Sequence, residues 1–319
     1  MLIVPEALIA SLVTPEDAFR AVEACFAGMA RGEAYNFPVV REALGAGRQY
    51  GFKSGLDRAG GQLGVKAGGY FPGNAAKGLI NHQSSVFLFD PDTGRPVAMV
   101  GGNLLTALRT AAASAIAIDR LARPEAHVLG IIGAGHQAGF QLRAAARVRR
   151  FERVIAWNLH AEMLPKLGAV AAELGLPFEA VDLPRMREAE VIVTITSSPA
   201  ASVLAEHVSP GTHLSCMGTD TKGKQEVEPA LVAGASVFTD EVAQSVSIGE
   251  AQHAVGAGLL EASAIVPVGD VLIGKHPGRR SASEITLFDG TGVGLQDLAV
   301  AAVAVQRARE RGLGIEVGV

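Results

Sequence analysis

Apolar and polar positions follow two different rhythms along this chain, and the change between them predicts two kinds of architecture. Thr14-Pro15-Glu16-Asp17 reads as a helix start, with a threonine cap, a proline in the first turn and acids beside the positive end of the dipole. That helix is expected to run to Arg31 and stop at Gly32. Alternating segments follow at Phe37 to Arg41, Arg48 to Ser54, Gln62 to Ala67, Ser84 to Asp90 and Arg95 to Gly101. Pro91-Asp92-Thr93-Gly94 reads as a hairpin turn between the last two. This region is expected to be α+β with a largely antiparallel sheet.

Asn103 to Leu121 predicts a long alanine-rich helix ending before Pro124. The rhythm then changes to short apolar strands separated by helices: Val128 to Ile132, Val154 to Asn158, Phe178 to Asp182, Val191 to Thr196, His213 to Met217 and Val237 to Thr239. Such alternation predicts a mostly parallel sheet covered by helices on both faces. Gly294 to Arg311 is periodic again and is assigned back to the first region. The expected class is therefore α/β: a Rossmann-type, doubly wound dinucleotide-binding domain over 113–294, plus a discontinuous α+β domain over 1–112 and 295–319.

His127 to Asn158 has the form of one complete βαβ unit, broken at Gly133-Ala134-Gly135. Unpaired N–H groups and the positive end of a helix dipole converge at such a break and suit a pyrophosphate. Gly133 is expected to make the tight turn, Gly135 the close approach, and Ala138 fills the third position of the Gly-x-Gly-x-x-Ala fingerprint. His136 and Gln137 offer their N–H groups at the helix start. Asn158 stands where an acid usually reads the ribose; it can bond the 2′-hydroxyl but cannot repel a 2′-phosphate. No arginine lies between Trp157 and Ala161, only His160, so NAD is the expected cofactor and NADP is not excluded. The plainer alternative is a glycine turn with no ligand.

Composition fits an enzyme of two domains. The chain has 319 residues, 49% hydrophobic and 19% charged, and a net charge of −4 gives no electrostatic case for nucleic acid or an anionic membrane. Cys25 and Cys216 lie far apart, so neither a disulfide framework nor a zinc site is expected, and no metal is assigned. No apolar run reaches the length of a membrane span, and Met1 to Ala10 lacks a basic leader; a cytoplasmic location is expected.

Several stretches together resemble the ornithine cyclodeaminase/mu-crystallin family: GVKAGGYFPGN, NLLTALRTAAASA, GAGHQA, GTDTKGKQE and EITLFDGTGVGLQDLA, in the family's order along nearly the whole chain. The resemblance implies a homodimer built by the first domain and the C-terminal helix, with NAD(P) on the second. YNFPVVRE, INHQSSVFLFD, GGNLLTALRTAAAS and DEVAQSVSIGE resemble the branch that reduces iminosuccinate to L-aspartate with NADH. The expected substrate is accordingly a small dicarboxylic imino acid. Cyclodeamination of ornithine, alanine dehydrogenation, cyclic ketimine reduction and non-catalytic ligand binding are the alternatives within the family.

The same resemblance implies roles for individual residues. Lys66 contacts the substrate carboxylate and is a catalytic candidate; it is expected to end a strand, with Ala67-Gly68-Gly69 as a turn aiming it at a cleft between domains. Its pKa should be drawn down by Arg41 and Arg109. Arg109 is suited to a two-point grip on a carboxylate, unless an internal acid claims it. Arg41 is the other substrate arginine, and Asp220 the acid/base residue, with an ordinary turn aspartate as its alternative. Thr196 and Ser197 match adenosine-side contacts, while Met217, Gly218, Thr219, Gly290 and Thr291 flank the nicotinamide, Thr291 also touching substrate. Asn81, Arg109, Thr110 and Lys224 match further cofactor contacts. The second carboxylate needs one more partner, for which His82, Gln83 and Arg41 are the candidates.

Overall fold

The helix start at Thr14 is closed from both sides: Asp17 N donates to Thr14 Oγ1 at 3.2 Å while Thr14 N donates to Asp17 Oδ2 at 2.8 Å. These distances come from a computed structural model that describes residues 1–318. In chain order the elements are β1 (Leu2–Val4), α1 (Glu6–Leu12), α2 (Pro15–Ala30), β2 (Ala34–Asn36), β3 (Val40–Gly45), β4 (Arg48–Asp57), β5 (Gln62–Tyr70), β6 (His82–Phe89), β7 (Pro96–Gly101) and α3 (Asn103–Leu121). Then come β8 (Val128–Ile132), α4 (Ala138–Val148), β9 (Arg153–Trp157), α5 (Leu164–Glu173), β10 (Phe178–Ala180), β11 (Val191–Thr194) and β12 (His213–Cys216). The chain continues through α6 (Pro229–Gly234), β13 (Ser236–Thr239), α7 (Val242–Ser245), α8 (Gln252–Gly256), β14 (Val266–Pro267), α9 (Val268–Leu272), β15 (Thr286–Asp289), α10 (Gly294–Glu310) and β16 (Ile315–Glu316).

Contacts divide the chain into Met1–Arg109 with the segment from Val293 onward, and Thr110–Gly292. The division falls inside α3, against boundaries of 112 and 295 expected from the change of rhythm. In the first unit the sheet runs β16-β1-β7-β6-β5-β4-β2, with β3 also paired to β4. It is antiparallel except for β1 beside β7, a parallel pair. Of the strand expected over Phe37 to Arg41 only Val40 and Arg41 are extended in a ladder, at the start of β3; Pro38, which has no N–H to give a ladder, falls between β2 and β3.

One face of this sheet is cut back to glycine so that α10 can lie against it. A Cβ on Gly55 would sit 2.9 Å from Leu295 Cγ, and one on Gly64 would sit 2.7 Å from Leu298 Cδ2. Along β4 the buried positions Gly51, Lys53 and Gly55 alternate with exposed Phe52 and half-buried Ser54, the period of a strand with one covered face.

The second unit carries an all-parallel sheet in the order β10-β9-β8-β11-β12-β15-β13-β14. The chain starts at β8, steps outward to β9 and β10, then returns to the other side of β8 at β11. This is the switch-point topology of doubly wound folds, which opens a crevice at the carboxyl ends of the strands flanking the reversal. The sheet's fully buried strands β11, β12 and β15 lack alternation, as strands covered on both faces do. No helix among the described residues is long and apolar enough to cross a membrane.

Candidate active site

Lys66 lies in the middle of β5, not at its end. Gly68 and Gly69 continue the strand, because a Cβ on Gly69 would be 2.0 Å from Gln49 O and one on Gly68 2.5 Å from Gln83 O. These glycines serve close cross-strand approach, so the turn expected at Ala67-Gly68-Gly69 does not exist. Lys66 pairs in register with Lys53 on β4. Arg41 on β3 is opposite Gly51, two positions before Lys53. Three adjacent strands thus place Arg41, Lys53 and Lys66 on one face, the face that α10 covers.

Helix α10 brings the counter-charge. Asp297, fully buried, takes Lys66 Nζ at 3.2 Å and Arg109 Nε at 3.2 Å on the same oxygen, Oδ1. Arg109 Nη1 also donates to Gln296 Oε1 at 3.1 Å. An internal acid therefore does hold Arg109, as the plainer reading of that residue allowed. Burial is the largest influence on Lys66, bringing its pKa down to about 8; Arg109 and Arg41 push the same way and Asp297 opposes them. The expected direction is right, but its main cause is desolvation and not like charge. Burial would raise the Asp297 carboxyl, yet Arg109, Lys66 and Lys53 outweigh it and hold the group below its ordinary value.

Other first-unit candidates lie outside this cluster. Asn81 accepts from Ala75 N at 3.1 Å and donates to Tyr70 Oη at 3.4 Å, which fixes the loop before β6. His82 opens β6 opposite Tyr70, four residues along β5 from Lys66. Gln83 is committed to Ile80 O at 2.9 Å and to Asn103 Nδ2 at 3.2 Å.

In the second unit the loop after β8 has the shape a pyrophosphate needs. Gly133 has φ 111° and a Cβ there would be 2.6 Å from Ile195 O, so only glycine fits. Gly135 faces open space. The backbone N–H groups of Gly135, His136 and Gln137 meet no acceptor among the described residues, at the entrance to α4. Asn158 Oδ1 accepts from Ala134 N at 3.1 Å and its Nδ2 donates to His160 O at 2.8 Å. This side chain fixes the glycine turn, leaving the oxygen's second lone pair and one Nδ2 hydrogen for a ribose hydroxyl.

The loops after β11 and β12 are joined by one carboxylate that the sequence reading did not single out. Glu226, buried, accepts from Thr196 N at 2.6 Å and Thr196 Oγ1 at 2.7 Å on Oε1, and from Thr194 Oγ1 at 2.7 Å and Gly218 N at 2.8 Å on Oε2. Glu250 in turn accepts from Glu226 N at 2.9 Å, Val227 N at 2.7 Å and Thr219 Oγ1 at 2.5 Å. Burial, with the charge of Glu226, pushes Glu250 up to about 8. Ser197 stays exposed beside these anchored loops.

Thr291 is 1% exposed and gives both its N–H and its hydroxyl to Asp240 Oδ1, at 3.1 and 2.6 Å. Its side chain holds the loop after β15 in place. Gly290 is glycine because a Cβ would be 2.5 Å from Met217 Sδ, so the two expected nicotinamide neighbours pack on each other. Asp220, just beyond β12, is ion-paired with Lys224 at 3.0 Å. Thr110 is buried beside Arg109 on α3. Lys53, Gln296, Asp297, Glu226, Glu250 and Asp240 were not foreseen. The signal for Asp297 was an acid set among the apolar positions at the start of the tail helix, and most of the others fall inside stretches already noted for their resemblance.

A parallel sheet with a glycine-turned phosphate loop at its switch point, joined to a unit carrying a buried cationic cluster, defines a dinucleotide-dependent class of protein. The chain belongs to the ornithine cyclodeaminase/mu-crystallin family, whose pattern matches residues 6–312. It is 63% identical over 319 residues to the iminosuccinate reductase of Paracoccus denitrificans, covering 99% of both chains. The crystal structure of that reductase in complex with NAD+ superposes with a TM-score of 0.95 at 62% identity, over 100% of this chain and 99% of the other. An archaeal alanine dehydrogenase dimer with bound NAD superposes at 0.94 with 33% identity, over 100% of this chain and 99% of that one.

The Glu226 junction carries a prediction. Glu226→Ala leaves four backbone or hydroxyl donors without their acceptor and should cost ~3 kcal/mol or more, while Glu226→Gln keeps one acceptor oxygen and should cost about half as much. Urea unfolding midpoints would rank the variants, and amide exchange at Thr196 and Gly218 should quicken in the alanine variant alone.

Proposed function

We propose that this chain is an NAD-dependent imine reductase converting iminosuccinate to L-aspartate, with L-aspartate oxidation as its reverse. The observation that carries the reading is the buried cluster of the first unit in which Lys66 and Arg109 share one oxygen of Asp297, two cations on one carboxylate. Two buried cations on one carboxylate leave a net positive charge, which an anionic substrate compensates. The 63% identity to the Paracoccus denitrificans reductase supports the same substrate.

Bound NADH supplies the hydride that reduces the imine carbon. The chain's own groups bind and orient. Arg109, kept in place by Asp297 and Gln296, presents its fork to the carboxylate next to the reacting carbon, and Lys66 adds a second contact. Asp220, steered by Lys224, is the acid/base candidate for the nitrogen, with Lys66 as the other group able to release a proton near neutrality. On the second unit, the free N–H groups of Gly135, His136 and Gln137 fit a pyrophosphate, and the absence of arginine from Trp157 to Ala161 favours NADH over NADPH.

The enzyme is further read as a cytoplasmic homodimer. Cys25 and Cys216 are buried and form no disulfide, in keeping with a reducing compartment. On the sheet face opposite α10, Tyr35, Val40, Tyr50 and Phe52 are 43%, 43%, 37% and 43% exposed, an apolar patch of the kind that a second copy covers.

Three measurements follow from this reading. Oxaloacetate with ammonium forms iminosuccinate in solution, and the enzyme should consume NADH stoichiometrically on that mixture; ornithine turnover to proline without net NADH loss would mean a cyclodeaminase instead. With the Lys66 pKa at about 8, the ammonium is charged below that pH and neutral above it, so KM for the anionic substrate should climb as pH passes 8. Lys66→Arg should abolish that limb even if it lowers turnover. Phe52→Arg should convert a dimer into a monomer by light scattering, and a wild-type monomer would remove the dimer from the account.

A further inference from the structure

We propose that Glu250 is a positioning residue for the dinucleotide: as a neutral carboxylic acid it holds Glu226, and through it the loops after β11 and β12, in the arrangement that NADH binds. The inference deepens the cofactor reading above and rests on it.

Connectivity is the first argument. Glu250 lies between α7 and α8 and anchors the chain at Glu226 and Val227, whose N–H groups both reach its Oε1, at 2.9 and 2.7 Å. Glu226 takes the Thr196 N–H from the loop after β11 and the Gly218 N–H from the loop after β12, one on each oxygen, at 2.6 and 2.8 Å. Those loops leave the carboxyl ends of neighbouring parallel strands, beside the switch point where a doubly wound sheet receives its ligand. Both glutamates are 1% exposed, so they act on a ligand through the loops and not by contact.

Hydrogen-bond chemistry places the proton. Among the described residues no lysine, arginine or histidine bonds either carboxyl, and two adjacent buried carboxylates without a cation do not both ionise cheaply. Glu226 has a backbone N–H on each oxygen, and an N–H can only donate, so Glu226 is the ionised member. On Glu250 the shorter N–H bonds go to Oε1. Its Oε2 has Glu226 N at a longer 3.2 Å and meets Thr219 Oγ1 at 2.5 Å, a hydroxyl that can accept a proton as well as give one. The acid proton therefore belongs on Glu250 Oε2. Burial raises both carboxyls, and at Glu250 the charge of Glu226 adds to it, bringing that group to about 8. Asp289, at the end of β15, accepts the Glu250 N–H, is raised by burial to about 7 and also pushes Glu250 upward. Burial drives the neighbouring Cys216 thiol well up, which keeps it neutral over this range. Glu250 is thus neutral below pH 8; above it a second negative charge forms beside Glu226 and Asp289, and repulsion works against the junction.

The test is the NADH affinity of the full-length protein without substrate, read by fluorescence titration from pH 7 to 9. With only the protonated form competent, a group at about 8 makes the wild-type Kd rise ~10-fold across that range. Glu250→Gln, whose carboxamide accepts at one end and donates to Thr219 at the other, should keep the pH 7 Kd within a few-fold and lose the rise. The rise should persist in Lys66→Arg, which separates it from the ammonium of the first unit. A flat wild-type profile would overturn the proposal, as would a rise that survives in Glu250→Gln or disappears in Lys66→Arg. Should Glu250→Gln not fold, Glu226→Gln replaces it: relieved of the neighbouring charge, Glu250 ionises at lower pH and the rise moves down, and an unmoved midpoint would overturn the proposal. A wild type that binds no NADH at pH 7 would overturn the cofactor reading as well, whereas NADH binding without the alkaline rise would overturn this proposal alone.

Discussion

The first unit is organised by one carboxylate. Asp297 draws Lys66 from β5 and Arg109 from α3 onto a single oxygen, and it does so from a helix formed by the last part of the chain. Removing either sign from this cluster would strand the other in a place water does not reach, and an uncompensated buried charge costs several kcal/mol. The glycines of the sheet are the counterpart of that arrangement. Gly55 and Gly64 make room for Leu295 and Leu298, and Gly294 packs against the backbone at Lys53 and Ser54. The helix can therefore come close enough for a short acid to reach both cations. Sheet composition, helix return and charge compensation are one solution to one problem.

Carboxylates play a related part in the second unit, with backbone as their partner. Glu226 joins the loop after β11 to the loop after β12; Glu250 anchors the strand of chain that carries Glu226; Asp240 fixes the loop after β15. Each acceptor is buried, so each bond is made in low dielectric and is costly to break. Three loops at the carboxyl edge of a parallel sheet, which would otherwise be the mobile part of such a fold, are thereby held before any ligand arrives. Preorganisation of this kind spares a dinucleotide the ordering cost at binding.

Local chemistry was legible in the sequence wherever local chemistry decided the structure. The box at Thr14 and Asp17, the alanine helix from Asn103 to Leu121, the tail helix from Gly294 and the turn at Gly133 all depend on residues within a few positions of one another. What stayed hidden depends on distant neighbours. Gly68-Gly69 reads locally as a turn, yet Gln49 and Gln83 on the flanking strands determine it as straight strand. The strand Thr286–Asp289 has no alternation to reveal it, since it is covered on both faces. The pairing of Arg109 with Asp297 spans 188 positions, beyond any periodicity. Likewise the family resemblance pointed to Thr291 but not to Asp240, which holds it, because a stretch of likeness marks where function lies without telling ligand contact from support.

The two cations on Asp297 are not duplicates. A guanidinium stays charged across the physiological range and offers a rigid planar fork, so Arg109 can only bind and orient. An ammonium buried to a pKa of about 8 is charged near neutrality yet can give up its proton at small cost. Approach of an anion would raise that pKa and hold the proton on Lys66; in the reaction proposed above, conversion of a neutral imine to an amine requires a proton at the nitrogen, and Lys66 is, beside Asp220, one candidate to release it. In that proposal the cluster joins a fixed charge for recognition to a labile one for chemistry. Asp297 sets the balance, since its field resists the desolvation that would otherwise leave Lys66 neutral when the substrate arrives.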